Sequence, residues 1–244
     1  MCFVPFVVSS PVIARSAATR QSSAGYRLCV RLFFIPHSAL NLNESACAER
    51  RPSPTLPVMS THLLEHRYGE KVTILDSPAL NGLLAQLSAR DTVQPRINQL
   101  LRRLYAALFQ NVIDQEAATV ETVTETRMAE YTDKGVARTT TPDPAQRWVL
   151  VDLARAGMIP AEVCFDLANE LIEPSNVRVD HVFINRQTDE NEQVTGTHVS
   201  GNKIGGDVED ALLVFPDPMG ATGSSIRDAV QLYQREVEGT PRRI

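Results

Sequence analysis

Three short runs constrain this chain most: RWVLVDLA (147–154), VRVDHVFINR (177–186) and ALLVFPD (211–217). RWVLVDLA reads as a buried strand, VRVDHVFINR as another strand in which polar residues interrupt the apolar ones, and ALLVFPD as the last core strand. The stretch between the first two is opened by Pro160 and sets Val163, Leu167 and Leu171 on one helical face. After the third, SIRDAVQLYQREV carries Ile226, Ala229, Val230 and Tyr233 at helical spacing, with Val237 closing the stripe. Buried strands alternating with amphipathic helices are βαβ units. They predict an α/β fold with a mainly parallel twisted sheet flanked by helices. Ligands in such folds bind beyond the C-terminal ends of the strands. That directs attention to the loops after Leu153, Ile184 and Phe215.

The flanking sequence adds to this frame. Residues 94–117 place Ile97, Leu100, Leu101, Leu104, Leu108 and Val112 in one apolar stripe, which predicts a long helix. KVTILD (71–76) reads as a short strand, followed by a helix with Ser77 as N-cap and Pro78 at its first position. Together these helices form an N-terminal helical arm. Residues 118–133 alternate polar and apolar side chains and are rich in Thr and Val, which predicts a strand, and TTTPDPAQ (139–146) reads as a loop. The polar stretch QTDENEQVTGTHVSGNKIGGDVED, before the last apolar run, reads as a β-hairpin flap.

Charge divides the chain in two. Residues 1–58 hold Arg15, Arg20, Arg27, Arg31, Arg50 and Arg51 against only Glu44 and Glu49, so the acidic excess lies in the remainder. The leader is rich in Ser, Ala and Arg, which suits a transit peptide, whereas Met59 opens MSTHLLEHRYGEKVTIL as a natural start would. Residues 1–58 are therefore expected to be a disordered or mis-extended leader, or a targeting segment, and 59–244 the folded domain. The formal net charge of −5 and the absence of a basic block argue against nucleic acid as a partner. No stretch is long and apolar enough for a membrane span. Beyond residue 58 the one cysteine is Cys164, which cannot make an internal disulfide and suits a reducing cytoplasm.

The loop after the third run is the most specific feature. Ala221, Thr222, Gly223, Ser224 and Ser225 are small residues between a strand and a helix start. Such a loop can curl so that its N–H groups converge on an anion, with the helix N-terminus adding partial positive charge. Thr222, Ser224 and Ser225 offer hydroxyls, and Asp217 at the strand end could hold ribose hydroxyls or stand near a metal. Neither G-x-x-x-x-G-K-[ST] nor G-x-G-x-x-G is present. A serine-capped helix after a tight turn is the alternative reading of the same residues.

The string Asp217, Pro218, Met219, Gly220, Ala221, Thr222, Gly223, Ser224, Ser225 resembles the 5-phosphoribosyl-1-diphosphate (PRPP) motif of the uracil phosphoribosyltransferases. LARAG (153–157) resembles the L-R-A-G diphosphate loop of that family, and NRQTDE (185–190) is similar, more loosely, to its R-N-E-E-T segment. The resemblance implies a phosphoribosyltransferase-like fold that transfers phosphoribose from PRPP to uracil, giving UMP and diphosphate. It implies that residues 217–225 bind PRPP, with Asp217 on the ribose hydroxyls. Arg155 and Arg186 would hold the diphosphate, and Asp217 and Arg155 would be the catalytic pair. It also implies Mg²⁺ arriving with PRPP, a nucleobase partner, and a homodimer or higher oligomer. A non-catalytic PRPP- or nucleotide-binding regulator and an inactive truncated homologue remain open as alternatives.

One departure bears on the acceptor. The family's base-binding pattern, G-Y-I-x-P-G-x-G-D-A-G-D, does not occur in this sequence, so no uracil-binding residue is assigned. The domain is expected to be incomplete at its C-terminal side, lacking a strand and leaving a sheet edge unpaired. His181, in an apolar strand, reads as a packed core histidine and His198 as a solvated one. Cys164 reads as a buried helix residue, and Asp189, Glu190 and Glu192 as a solvated turn. Without a second close His or a Cys, neither histidine suggests a metal site.

Overall fold

The structure, a computed structural model, describes residues 63–69, 71–188, 194–220 and 223–244. The leader 1–58, residues 189–193 and residues 221–222 lie outside the described residues, and with them Asp189, Glu190, Glu192, Ala221 and Thr222.

Helix α1 (Pro78–Ser88) starts on Ser77 with proline at its first turn, as the sequence predicts. Helix α2 (Arg96–Glu116) buries Leu100, Leu104, Leu108, Phe109 and Ile113, the expected stripe carried on by Phe109 and Ile113. A two-stranded antiparallel ribbon follows, β1 (Thr119–Glu125) and β2 (Val136–Pro142), in register from Thr119 against Pro142 to Glu125 against Val136. Strand β2 corrects the expected loop at 139–146. Its threonines are poor in apolar signal, but β-branched residues fit an extended ribbon. The predicted 118–133 strand ends early, at Glu125, in a turn. Likewise 71–76 is no full strand, since a single antiparallel bridge joins Leu63 to Leu75.

The main sheet has the order β5-β4-β3-β6. Strand β3 (Trp148–Ala154) is buried along nearly its whole length. It pairs in parallel with β4 (Val177–Thr188) on one side and β6 (Leu212–Val214) on the other. Strand β5 (Val194–Lys203) returns antiparallel to β4, as expected of a hairpin flap. Helix α3 (Met158–Leu171) begins two residues before Pro160 and buries Pro160, Ala161, Val163, Cys164 and Ala168. Leu171, expected on the core face, is instead exposed. Helix α4 (Ser224–Glu236) buries Ala229, Val230, Leu232 and Tyr233.

Side chains on β3 alternate between two cores. Trp148 and Leu150 face Phe109 and Ile113 of α2 and Cys164 and Ala168 of α3. Val149, Val151 and Leu153 face Ala229, Leu232 and Tyr233 of α4. The fold is therefore helix, sheet, helix, and it sets three parallel strands side by side with their C-terminal ends on one edge.

The edge of β6, expected to stand bare, is met by the C-terminal residues. Arg242 N–H donates to Ala211 O at 2.9 Å and Leu213 N–H donates to Arg243 O at 3.0 Å. Arg243 lies beside Leu212 in the parallel sense, and Ile244 packs against the α4-side core. Among the described residues no helix is long and apolar enough to cross a membrane.

Candidate functional site

The described candidate residues lie where the topology predicts, at and beyond the C-terminal edge of β3, β4 and β6. Ala154, the last residue of β3, pairs with Phe183 of β4, and Leu150 pairs with Val214, the last residue of β6. Arg155 follows β3 directly, joined to Ala154 by a cis peptide bond. The turn 155–157 closes through Gly157 N–H to Leu153 O at 2.9 Å. Arg155 is exposed and makes no ion pair among the described residues, so its guanidinium is open to an anion. Arg186 continues β4 past the end of β3, opposite Thr197 in register. Its side chain lies outside the described residues.

On the β6 side, Asp217 is half-buried, and its Oδ1 accepts from Met219 N–H at 3.2 Å. That short-range bond folds the chain back after Pro218. Pro218 and Gly220 are half-buried and Met219 is exposed. Gly223 then takes a left-handed conformation, φ 70°, as N-cap of α4. A side chain there would be strained, which explains glycine at this point of the loop. The helix opens with no side-chain cap, and Ser224 and Ser225 occupy its first turn. First-turn N–H groups have no carbonyl partner within their own helix, and the positive end of the α4 dipole lies at Gly223. The serine-capped alternative is not what forms, since the cap is Gly223.

Sequence reasoning missed two further groups. The Tyr105 hydroxyl on α2 is pushed well above its usual range by burial, then by the charge of Asp217. Helix α2 thus reaches the neighbourhood of Asp217. An aromatic with a polar tip inside a leucine stripe was its signal. The second group is Asp152 with His181. Asp152 is 2% exposed on β3, and its Oδ2 accepts from His181 Nδ1 at 2.8 Å. His181 is no core histidine: its side chain is 47% exposed, on the part of β4 where a carboxylate faces it across the sheet. The signal was an aspartate inside an otherwise apolar strand, because a buried charge needs a partner. His198 on β5 is exposed and Cys164 is buried, as expected. Burial pushes the Cys164 thiol up, so it is held protonated and unreactive.

Among the described residues, no three His, Cys, Asp or Glu side chains converge as a metal-binding group.

A family model described as uracil phosphoribosyltransferase matches residues 74–243. No curated protein sequence matches the chain. Among solved structures, the AQ2163 protein from Aquifex aeolicus is similar at a TM-score of 0.50 and 19% identity, covering 68% of this chain and 72% of that one. A hypoxanthine phosphoribosyltransferase from Staphylococcus aureus is similar at a TM-score of 0.35 and 10% identity, over 58% of this chain and 60% of that one. At these identities the first likeness concerns the fold alone, and the second is too weak to carry more.

Proposed function

This chain belongs to the uracil phosphoribosyltransferase family, and from that premise we propose that it transfers phosphoribose from PRPP to uracil. One observation carries the reading: the DPMGATGSS loop and the RAG turn leave adjacent parallel strands on the same sheet edge. A phosphorylated sugar bearing a diphosphate at its other end needs two such anion sites side by side. In the proposed reaction N1 of uracil bonds to C1 of the ribose as the C1–O bond to diphosphate breaks. Diphosphate keeps the electron pair and the N1 proton is released to solvent.

The residues have separable roles in this reading. The loop 221–225 and the first turn of α4 hold the 5-phosphate through N–H groups, hydroxyls and the helix dipole. Pro218, Met219 and Gly220 shape its approach. Asp217 accepts from the ribose hydroxyls and fixes C1 relative to the leaving group. Arg155, exposed and without an ion-pair partner among the described residues, takes up charge growing on diphosphate, and Arg186 joins it from β4. Magnesium would arrive bound to PRPP oxygens and neutralise part of that charge, with Asp217 as the loop's own carboxylate beside it. Uracil is the acceptor that the family membership supports. Exposed Val120, Val123, Met128 and Tyr131 on and around the β1–β2 ribbon support assembly into a homodimer or larger oligomer. A monomer mass by light scattering would contradict that assembly.

The direct experiment follows UMP formation from PRPP and uracil, with PRPP binding measured in parallel. Asp217→Asn is expected to weaken PRPP binding at least about tenfold. Unchanged affinity removes Asp217 from the site. Binding of PRPP with no turnover of any nucleobase would instead support a PRPP-binding regulator.

A further inference from the structure

Asp152 is an expensive residue to keep. It lies 98% buried in the strand that leads into the RAG turn, and only one of its two oxygens is satisfied. Oδ2 accepts from His181 Nδ1, and because a carboxylate oxygen only accepts, Nδ1 carries the proton. Oδ1 is buried and has no hydrogen-bond partner among the described residues. A lone unsatisfied carboxylate oxygen costs stability that an apolar residue at the same place would not. A side chain retained at such a cost asks for a reason beyond folding.

Its surroundings supply one. A Cβ built on Gly157 would lie 3.1 Å from Asp152 Oδ1 and 2.7 Å from Leu153 N. The unsatisfied oxygen therefore sits directly beneath the turn formed by Arg155, Ala156 and Gly157. The same turn is pinned to β3 by Gly157 N–H on Leu153 O. His181 stands across the sheet in register with Asp152 and fixes the carboxylate from the side. The imidazole is half exposed and is not itself packed in a core.

We propose that Asp152, held by His181, is a positioning residue for the diphosphate loop, shaping the Arg155–Gly157 turn from beneath. His181 acts through Asp152 rather than on the ligand. The inference rests on the reading of that turn as the diphosphate site.

The test uses the full chain and two probes, inorganic diphosphate for the RAG turn and ribose 5-phosphate for the 217–225 loop, with affinities from titration calorimetry. His181→Phe keeps a ring and removes the donor, whereas His181→Asn keeps a donor near the Nδ1 position. The Phe variant is expected to lose about tenfold or more in diphosphate affinity. The Asn variant should recover most of that loss, and ribose 5-phosphate affinity should be unchanged in both. If the Phe variant does not fold, Asp152→Asn is read in its place with the same expected split, since its amide places a donor where Oδ1 stood. Unchanged diphosphate affinity overturns the proposal. Parallel loss of both ligands also overturns it, because that marks a general structural role. Wild-type protein that binds ribose 5-phosphate but not diphosphate overturns the proposal while leaving the 5-phosphate loop standing. Wild-type protein that binds neither removes the donor-site reading itself.

Discussion

Gly157 has no room for a methyl group. A Cβ there would fall 2.7 Å from Leu153 N and 3.1 Å from both Leu153 O and Asp152 Oδ1, and two of those atoms are backbone that cannot swing away. Gly157→Ala is expected to cost about 1–3 kcal/mol, in the range of overpacked sites, and to be seen in denaturant melts of the purified variant. A loss within error would mean that the turn is looser than its contacts imply. Much of this residue-scale chemistry was legible in the sequence. LARAG and DPMGATGSS marked Arg155 and Asp217 as end-of-strand residues; Arg155 follows β3 directly, whereas β6 stops at Val214, three residues short of Asp217. The Asp152–His181 pair was not legible as a pair. Its members are 29 residues apart, and only the parallel register brings them opposite each other. Sequence shows a charge inside a strand, but the partner is a property of strand order.

At the scale of elements, the loop before β6 is fastened by charge. Arg147 Nη1 donates to Asp207 Oδ1 at 2.8 Å, and Arg178 Nη1 donates to Asp207 O at 2.8 Å. Arg178 also pairs with the fully buried Asp180, which accepts from Gly205 N–H and from Tyr233 OH at 2.7 Å. Strand β4, the loop 204–207 and helix α4 are thus joined through one carboxylate. Burial and the Asp180 charge push the Tyr233 hydroxyl up, so it stays a donor across the working range. The Asp207 carboxyl is held down to about 2, first by the Arg147 hydrogen bond and then by Glu209 N–H. Its folded value lies below the ordinary carboxylate value of about 3.9. Its stabilising contribution is therefore complete above that ordinary value and lost as pH falls through about 2. Asp207→Asn should lower stability at neutral pH, and the gap from wild type should close between about pH 4 and pH 2 in acid denaturation curves. A gap that persists at pH 2 would assign the effect to shape rather than charge. The apolar elements were predictable, because period and run length identify β3, β4, β6, α2 and α4. The β1–β2 ribbon was harder. Its second strand, VARTTTP, carries little apolar signal and gains its order by pairing with TVETVTE.

The whole molecule is organised around one strand. Trp148, the single tryptophan, opens β3 at 1% exposure and meets Phe109 of α2 edge to face, ring centroids 5.6 Å apart. Its fluorescence should therefore be blue-shifted in the native protein and move red in one step with loss of helical circular dichroism. A red shift that precedes the loss of helix would show that the α2 layer separates from the sheet first. Trp148→Ala is expected to cost about 3–5 kcal/mol. Sequence gave no warning of how the sheet ends. The last three residues run beside β6 in the same direction, and Arg243 Nη1 reaches Glu116 Oε2 at 3.0 Å. Because that run is parallel, it points toward the edge where Asp217 lies. A fluorophore, affinity handle or surface tether joined at Ile244 would accordingly be launched along β6 toward the mouth of the candidate site. Immobilisation through that end would crowd incoming ligands, and a dye placed there would sense them.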